Sequence, residues 1–337
     1  MTPTVIELRG GATAGRRRLH LQLPILRSFL LTIAYVRHAI LGVGGVGGLV
    51  GGALARTGAD VLLLLRRETL ARHPGRLRVE SVVFGDFEVE VAMASALDRE
   101  VDVVWVTPKA TQLEEALELA PADKVGEAVV VPLLNGVDHV ALLRKHYAHV
   151  LGAAIFVESE RVEPGLVRQK TAFANVVLAP GPRQDEITAE LRTAGFQVAL
   201  ASDSPTLLWE KLAFLAPLAL TTTALGAPVG VVQADLDWNA RLVGCHEETV
   251  SIGLAEGATL DPAKLRSSFA GFSGGELRTS MQKDFDAGRP LELDAIAGPI
   301  VNGGRRHGIA TPATEELVLL IEARLAARAS SPSITPG

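Results

Sequence analysis

Two side chains with acid–base chemistry stand in otherwise apolar sequence: Lys211 in "LLWEKLAFLAPLAL" and Glu292 in "RPLELDAIAG". A lysine at its ordinary pKa of about 10.4 is a poor proton donor at neutral pH, and apolar surroundings lower that value. Leu212, Phe214, Leu215 and Leu218 are close helical neighbours of Lys211, which makes it a candidate proton donor. Glu292 can balance its charge if the folded chain brings the two together. Taken singly, each also reads as a charge snorkelling from a surface. Lys109, after "DVVWVTP", and Asn135, after "VVVPLL", close two further apolar runs. That is the carboxyl edge at which parallel sheets bind ligands.

These residues need a scaffold, and residues 38–67, "HAILGVGGVGGLVGGALARTGADVLLLLRR", describe one. Gly42, Gly44 and Gly47 form G-x-G-x-x-G between an expected strand and an expected helix, with Val43, Gly45 and Val46 in the turn. In a βαβ setting this pattern binds a dinucleotide. Gly42 permits the tight turn, Gly44 lets a pyrophosphate approach the backbone, and Gly47 lets the helix press on the strand. The N–H groups near Gly45 and Val46 then face the phosphates. Gly48, Gly51 and Gly52 cost about 1 kcal/mol each relative to alanine inside a helix. With Ala55 they give a face poor in side chains, which a merely glycine-rich loop would not require. An acidic residue some 20 positions on would select NAD; here Arg66 stands 19 after Gly47, followed by Arg67. Such cations accept a 2′-phosphate, so NADP is the expected cofactor, a solvated surface pair being the alternative. Hydride transfer from a nicotinamide to a carbonyl needs a proton donor, and Lys109, Asn135, Lys211 and Glu292 are all candidates for that site.

Around this core the first half alternates short apolar runs with helix-period segments, the mark of an α/β domain with a parallel sheet. "HAILGV", "DVLLLL", "DVVWVT" and "EAVVVPLL" are its expected strands, and "ATQLEEALELA" (110–120) an amphipathic helix. Residues 76–93 alternate like a pair of β segments, and 150–180 like antiparallel strands added to the sheet edge. After 201–206 only helical periodicity remains, with Ser204 as expected cap and Pro205 as first helical residue. Thr311 and Pro312 repeat that pattern. The expected fold is therefore α/β: a Rossmann-type dinucleotide-binding domain over 37–203 and an all-helical substrate and catalytic domain over 204–328. Residues 329–337 form an expected disordered tail.

The motifs "ILGVGGVGG", Arg66, "TPKATQ", "LLNG", "VEPGLVRQ", "WEKL", "SMQKD", "ELDAIAG" and "HGIATP" follow one another in order and spacing from about Arg37 to residue 325. In this the sequence resembles the ketopantoate reductase (2-dehydropantoate 2-reductase) family, NADPH-dependent enzymes of pantothenate biosynthesis. The resemblance implies that Lys211 protonates the ketone and that Glu292 orients the substrate or the lysine. It matches Ser280 to a substrate-binding serine, and Asn135 and Lys109 to residues near nicotinamide and substrate. Gly42, Gly44, Gly47 and Arg66 match NADPH-binding positions. One departure bears on the substrate. Well-studied members carry asparagines four and eight residues after the lysine, where this chain has Leu215 and Ala219. Sites that hydrogen-bond hydroxyls discriminate strongly and apolar ones do not, so the expected substrate is a less polar 2-oxo acid or related ketone. Thr222 is a candidate for a partial replacement.

The bulk numbers narrow the field. The formal net charge of −5 argues against a nucleic-acid partner. The single cysteine, Cys245, excludes an intrachain disulfide framework and fits a reducing, cytoplasmic setting; a buried structural thiol is the expected reading. Residues 15–36, "GRRRLHLQLPILRSFLLTIAYV", have the arginine and apolar parts of a secretory signal, but Pro24 and Arg27 interrupt the run. An assigned start upstream of the real one, with Val36 as the real start, is the expectation, and no membrane association is expected. The histidines, His307 included, show no metal-ligand spacing, so no metal is expected. Asp284 and Asp286 are expected on a solvated helix face. The apolar content of the helical half makes a homodimer plausible. Two other readings compete: another NADP-dependent hydroxyacid or opine dehydrogenase, and a non-catalytic NADP(H) sensor.

Overall fold

The buried strands of the N-terminal half form where its apolar runs lie, and the computed structural model describes residues 36–330. The expectations for residues 1–35 and 331–337 lie outside the described residues. In chain order the elements begin with β1 (Arg37–Leu41), α1 (Gly45–Arg56), β2 (Asp60–Leu64) and α2 (Arg67–Leu70). The hairpin β3 (Arg76–Ser81) and β4 (Phe87–Glu90) follows, then β5 (Ala92–Ala94) and β6 (Val103–Val106). A 3₁₀ turn at Ala110–Gln112, α3 (Leu113–Leu117), α4 (Ala122–Val125), β7 (Val129–Pro132) and α5 (Asp138–His146) complete the parallel layer. The single helix expected over 110–120 is thus broken in two. β8 (Ala153–Phe156), β9 (Ser159–Glu163), β10 (Leu166–Gln169), β11 (Asn175–Leu178), α6 (Gln184–Thr193) and β12 (Gln197–Leu200) come next.

The central sheet has the order β5-β2-β1-β6-β7, with every pairing parallel. Its strands read as unbroken apolar runs because helices or other sheets cover both faces. The alternating segments at 150–180 do not extend this sheet, contrary to expectation. β9 and β10 join β3 and β4 in a second sheet of order β4-β3-β10-β9, and β8 joins a third of order β12-β11-β8. The reason lies in α1, which is packed between two sheets. A Cβ at Gly51 would stand 3.0 Å from Leu63 and 3.1 Å from Ile40 of the central sheet. At Gly48 it would reach Val167 at 2.5 Å, and at Gly52 Val79 at 3.0 Å, both in the second sheet. The extra glycines therefore serve two close contacts on different sides of one helix.

From residue 204 the described residues are helical throughout: α7 (Ser204–Leu225), α8 (Val229–Ala234), α9 (Leu236–Ala255), α10 (Pro262–Ala270), α11 (Ser280–Asp286), α12 (Leu293–Ile296), α13 (Gly298–His307) and α14 (Pro312–Ser330). The α7 cap is Asp203, not Ser204: its carboxylate accepts the Thr206 N–H at 2.7 Å, leaving Pro205 second in the helix. At α14 the expected Thr311 cap is replaced by Glu248 of α9, which accepts from the N–H groups of Ala313 (2.7 Å) and Thr314 (2.8 Å). Helix α14 runs through Ser330, so the start of the expected tail is helical.

Pro217 interrupts α7 from within, and a proline there leaves the carbonyl four residues back without its helical donor. That carbonyl, Ala213 O, lies 2.8 Å from Nδ1 of His246 on α9. A carbonyl only accepts, so Nδ1 carries the proton, and the proline break becomes a tie between the two longest helices of this half. Cys245 is wholly buried beside Thr314, and burial pushes its thiol up to about 12, the inert structural cysteine expected from sequence. No described helix is long and apolar enough to cross a membrane.

Candidate active site

Three chain segments far apart in sequence converge on Lys211. It lies on the second turn of α7, with Nζ donating to the carbonyl of Leu134 at 3.3 Å. Leu134 and Asn135 form the turn after β7, and Gly136, at φ +86°, continues it. A Cβ at Gly136 would stand 2.3 Å from the carbonyl oxygen of Ala295 in α12, so only glycine lets the turn approach that helix. Glu292 immediately precedes α12. Its Oε1 accepts the backbone N–H of Ala110 at 2.9 Å, from the turn after β6, and its Oε2 accepts Nδ2 of Asn135 at 3.2 Å. Lys211 and Glu292 are each 8% exposed. The structure thus gathers Lys211, Asn135 and Glu292 around the turn after β7, a convergence that the sequence left open.

Burial lowers the Lys211 ammonium to about 8, and the charge of Glu292 pushes it back up. The Phe156 ring, 6.0 Å from Nζ, adds to the apolar surround while offering its π face to the cation. If Lys211 donates a proton in the reaction, kcat/KM is expected to be flat below pH 8 and to fall as pH rises through about 8, because the ammonium form is then lost. In kcat the same limb should move to higher pH, since a bound substrate carboxylate favours the charged amine. A pH series of initial rates measures both.

Sequence reasoning missed several members of the site. His139, on the first turn of α5, is 6% exposed, and neither ring nitrogen has a partner among the described residues. Burial and the nearby Lys211 charge hold it neutral, down to about 3. Its position four residues after Asn135 was the available clue. Asp284 was expected in solvent and is instead 5% exposed. Its carboxylate is held at 2.5 Å by Lys109 and at 2.7 Å by Arg289, because α11 packs across the turn after β6. Lys109 is therefore tied to α11, and its neighbour Ala110 to Glu292. Asp286 is exposed, and pairs with Arg278.

Ser280, first residue of α11, is exposed and lies one helical turn before Asp284, hence on the same face of the helix. Leu215 and Ala219 continue the Lys211 face of α7, the first half-buried and the second buried. Thr222 supplies no free hydroxyl there: its Oγ1 donates to Leu218 O at 2.7 Å and lies 2.9 Å from Thr279 Oγ1. His307 pairs with Glu256 at 3.0 Å.

The glycine turn has the shape a pyrophosphate needs. Gly42 has φ +93°, and a Cβ there would strike Pro108 at 2.5 Å. A Cβ on Gly47 would lie 2.3 Å from Thr107 Oγ1 and 2.4 Å from Gly42 O, which is the close helix–strand approach. At Gly45 it would meet the carbonyl of Ser159 at 2.1 Å, so β9 covers that side. A Cβ on Gly44 would have nothing within 4 Å, so that face of the turn is open. No side chain caps α1, and its first N–H groups are free of helical partners. Val43 is buried in the core, and the partly buried Val46 packs against it. Arg66 sits past the end of β2, with Nη1 at 3.1 Å from Glu115 of α3. The open glycine cradle, the uncapped helix and this cation fit a dinucleotide.

A family model described as ketopantoate reductase PanE/ApbA matches residues 38–183, and its C-terminal companion matches 205–325. The 2-dehydropantoate 2-reductase of Mycobacterium tuberculosis H37Rv is 31% identical over 294 residues, covering 85% of this chain and 96% of the relative. The crystal structure of a PanE/ApbA family ketopantoate reductase from Ralstonia eutropha JMP134 superposes with a TM-score of 0.77 at 27% identity, over 86% of this chain and 98% of its own. D-mandelate dehydrogenase in a ternary structure with NADH shares the fold at a TM-score of 0.76 and 22% identity, over 87% of this chain and 99% of its own.

Proposed function

The chain belongs to the ketopantoate reductase family of oxidoreductases, and we propose that it reduces a 2-oxo acid to the 2-hydroxy acid with NADPH. In this reading residues 37–203 hold the cofactor and 204–328 supply the substrate and proton-donor side chains. The observation that carries it is the Lys211–Glu292–Asn135 cluster at the carboxyl edge of the parallel sheet.

When bound, the reduced nicotinamide supplies a hydride to the carbonyl carbon. Lys211 gives its proton to the carbonyl oxygen as negative charge gathers there, and its lowered pKa makes that transfer easier. Glu292 keeps the amine protonated at neutral pH and, held by Ala110 and Asn135, keeps its own place. Ser280 offers a hydroxyl to the substrate carboxylate, while Lys109, paired with Asp284, stays on the cofactor side. The glycine turn and the start of α1 bind the pyrophosphate, and Arg66 the 2′-phosphate.

Leu215 and Ala219 make the lysine face of α7 apolar, and Thr222 is spent on Thr279. A less polar 2-oxo acid is therefore favoured over 2-dehydropantoate; were 2-dehydropantoate kept, the reaction would be the pantothenate-pathway step. Initial rates of NADPH oxidation on 2-dehydropantoate and on a branched apolar 2-oxo acid test this. The apolar acid should have the higher kcat/KM, and the Leu215→Asn, Ala219→Asn double variant should move the ratio roughly tenfold toward 2-dehydropantoate. A wild-type enzyme strongly preferring 2-dehydropantoate would refute the substrate choice. Nucleotide binding without turnover on any 2-oxo acid would favour a sensor.

A further inference from the structure

The strand ends beyond β2 and β6 flank the glycine turn that closes β1, and a side chain from each side meets across it. Arg66, after β2, places Nη1 3.1 Å from Oε1 and 3.3 Å from Oε2 of Glu115, which α3 carries after β6. Both side chains are half exposed, at 50% and 58%. Exposed pairs of this kind add little to the stability of a fold. Arg66 can therefore exchange this partner for another at small cost.

We propose that Glu115 is a specificity-determining residue that weakens discrimination between NADPH and NADH by competing for Arg66. The inference rests on the nicotinamide dinucleotide reading given above. A 2′-phosphate bound to Arg66 brings about two negative charges toward a carboxylate already paired with the same guanidinium. Glu115 must then give up the bond, or stay nearby and repel the phosphate. A ribose with a free 2′-hydroxyl meets the opposite situation, because a carboxylate accepts hydrogen bonds from ribose hydroxyls. In one crevice the chain thus carries the cation that suits NADPH and, facing it, the acid that suits NADH. The motif spacing alone shows only the first.

The test measures dissociation constants for NADPH and NADH by nucleotide fluorescence, without ketone substrate, for the wild type and Glu115→Gln. The amide keeps the side-chain shape and removes the charge. NADPH should bind roughly three- to fivefold tighter to the variant, as expected for one exposed charge, while NADH binds no tighter. The gain should shrink as salt is raised toward 1 M, where the screening length falls to about 3 Å. Glu115→Asp, which keeps the charge, should bind both nucleotides much as the wild type does. An NADPH-to-NADH ratio unchanged in Glu115→Gln overturns the proposal and leaves the reductase reading standing. A wild type that binds neither nucleotide overturns both.

Discussion

Lys211→Ala should lower kcat about 10³-fold while leaving the dissociation constant for NADPH within about twofold of wild type. The separation follows from where the residue lies. Its ammonium points to the turn after β7 and the Glu292 cluster, whereas the proposed cofactor cradle is the glycine turn with Arg66. Folding should survive, because a buried ammonium costs desolvation and its one direct hydrogen bond among the described residues is to a backbone carbonyl. Lys211→Met, which fills the space, should lose as much activity as the alanine variant; that comparison excludes a packing effect. The falling limb near pH 8 should vanish from whatever rate remains. Retention of most activity in the methionine variant would remove Lys211 from the chemistry.

Glu292→Gln should be the second most damaging change, lowering kcat/KM on the order of 10²-fold. Two effects combine. The amide carries no charge, so the Lys211 ammonium loses the partner that raises its pKa and deprotonates at lower pH. The carboxamide also has one acceptor oxygen where the carboxylate has two. If that oxygen takes the Ala110 N–H, the NH₂ group faces the Asn135 amide donor, and one bond is lost. The falling limb of the pH profile should therefore move below about 8, a shift that a loss of packing would not produce. Glu292→Asp keeps the charge and should hold the limb near the wild-type position. An unshifted limb in Glu292→Gln would mean that the carboxylate does not act on the lysine.

Much of this site was legible because each part has its own local pattern. The glycine turn shows as spacing, Lys211 and Glu292 as charges in apolar runs, and Lys109 and Asn135 as polar residues closing buried strands. Asp284 was not legible, since its helix period resembles that of a solvated face and only packing of α11 on the turn after β6 buries it. His139 and Glu115 were hidden for the same reason, as the charges that act on them, Lys211 and Arg66, stand 72 and 49 residues away in the chain. The sheet assignment of β8 to β12 also escaped, because alternation sets which face a side chain takes and not which strand it pairs with.

Sequence by itself determined the parallel core, the glycine turn, the onset of the helical half and which side chains are candidates for the chemistry. These rest on periodicity and on glycine positions that read the backbone over a few residues. Tertiary structure alone decided that Glu292 lies near enough for its charge to act on Lys211, that Asn135 and Ala110 hold that carboxylate in place, and that Arg66 already has a carboxylate partner. Such pairings depend on how segments 49 to 182 residues apart pack together, and burial and charge act through that distance in space and not along the chain.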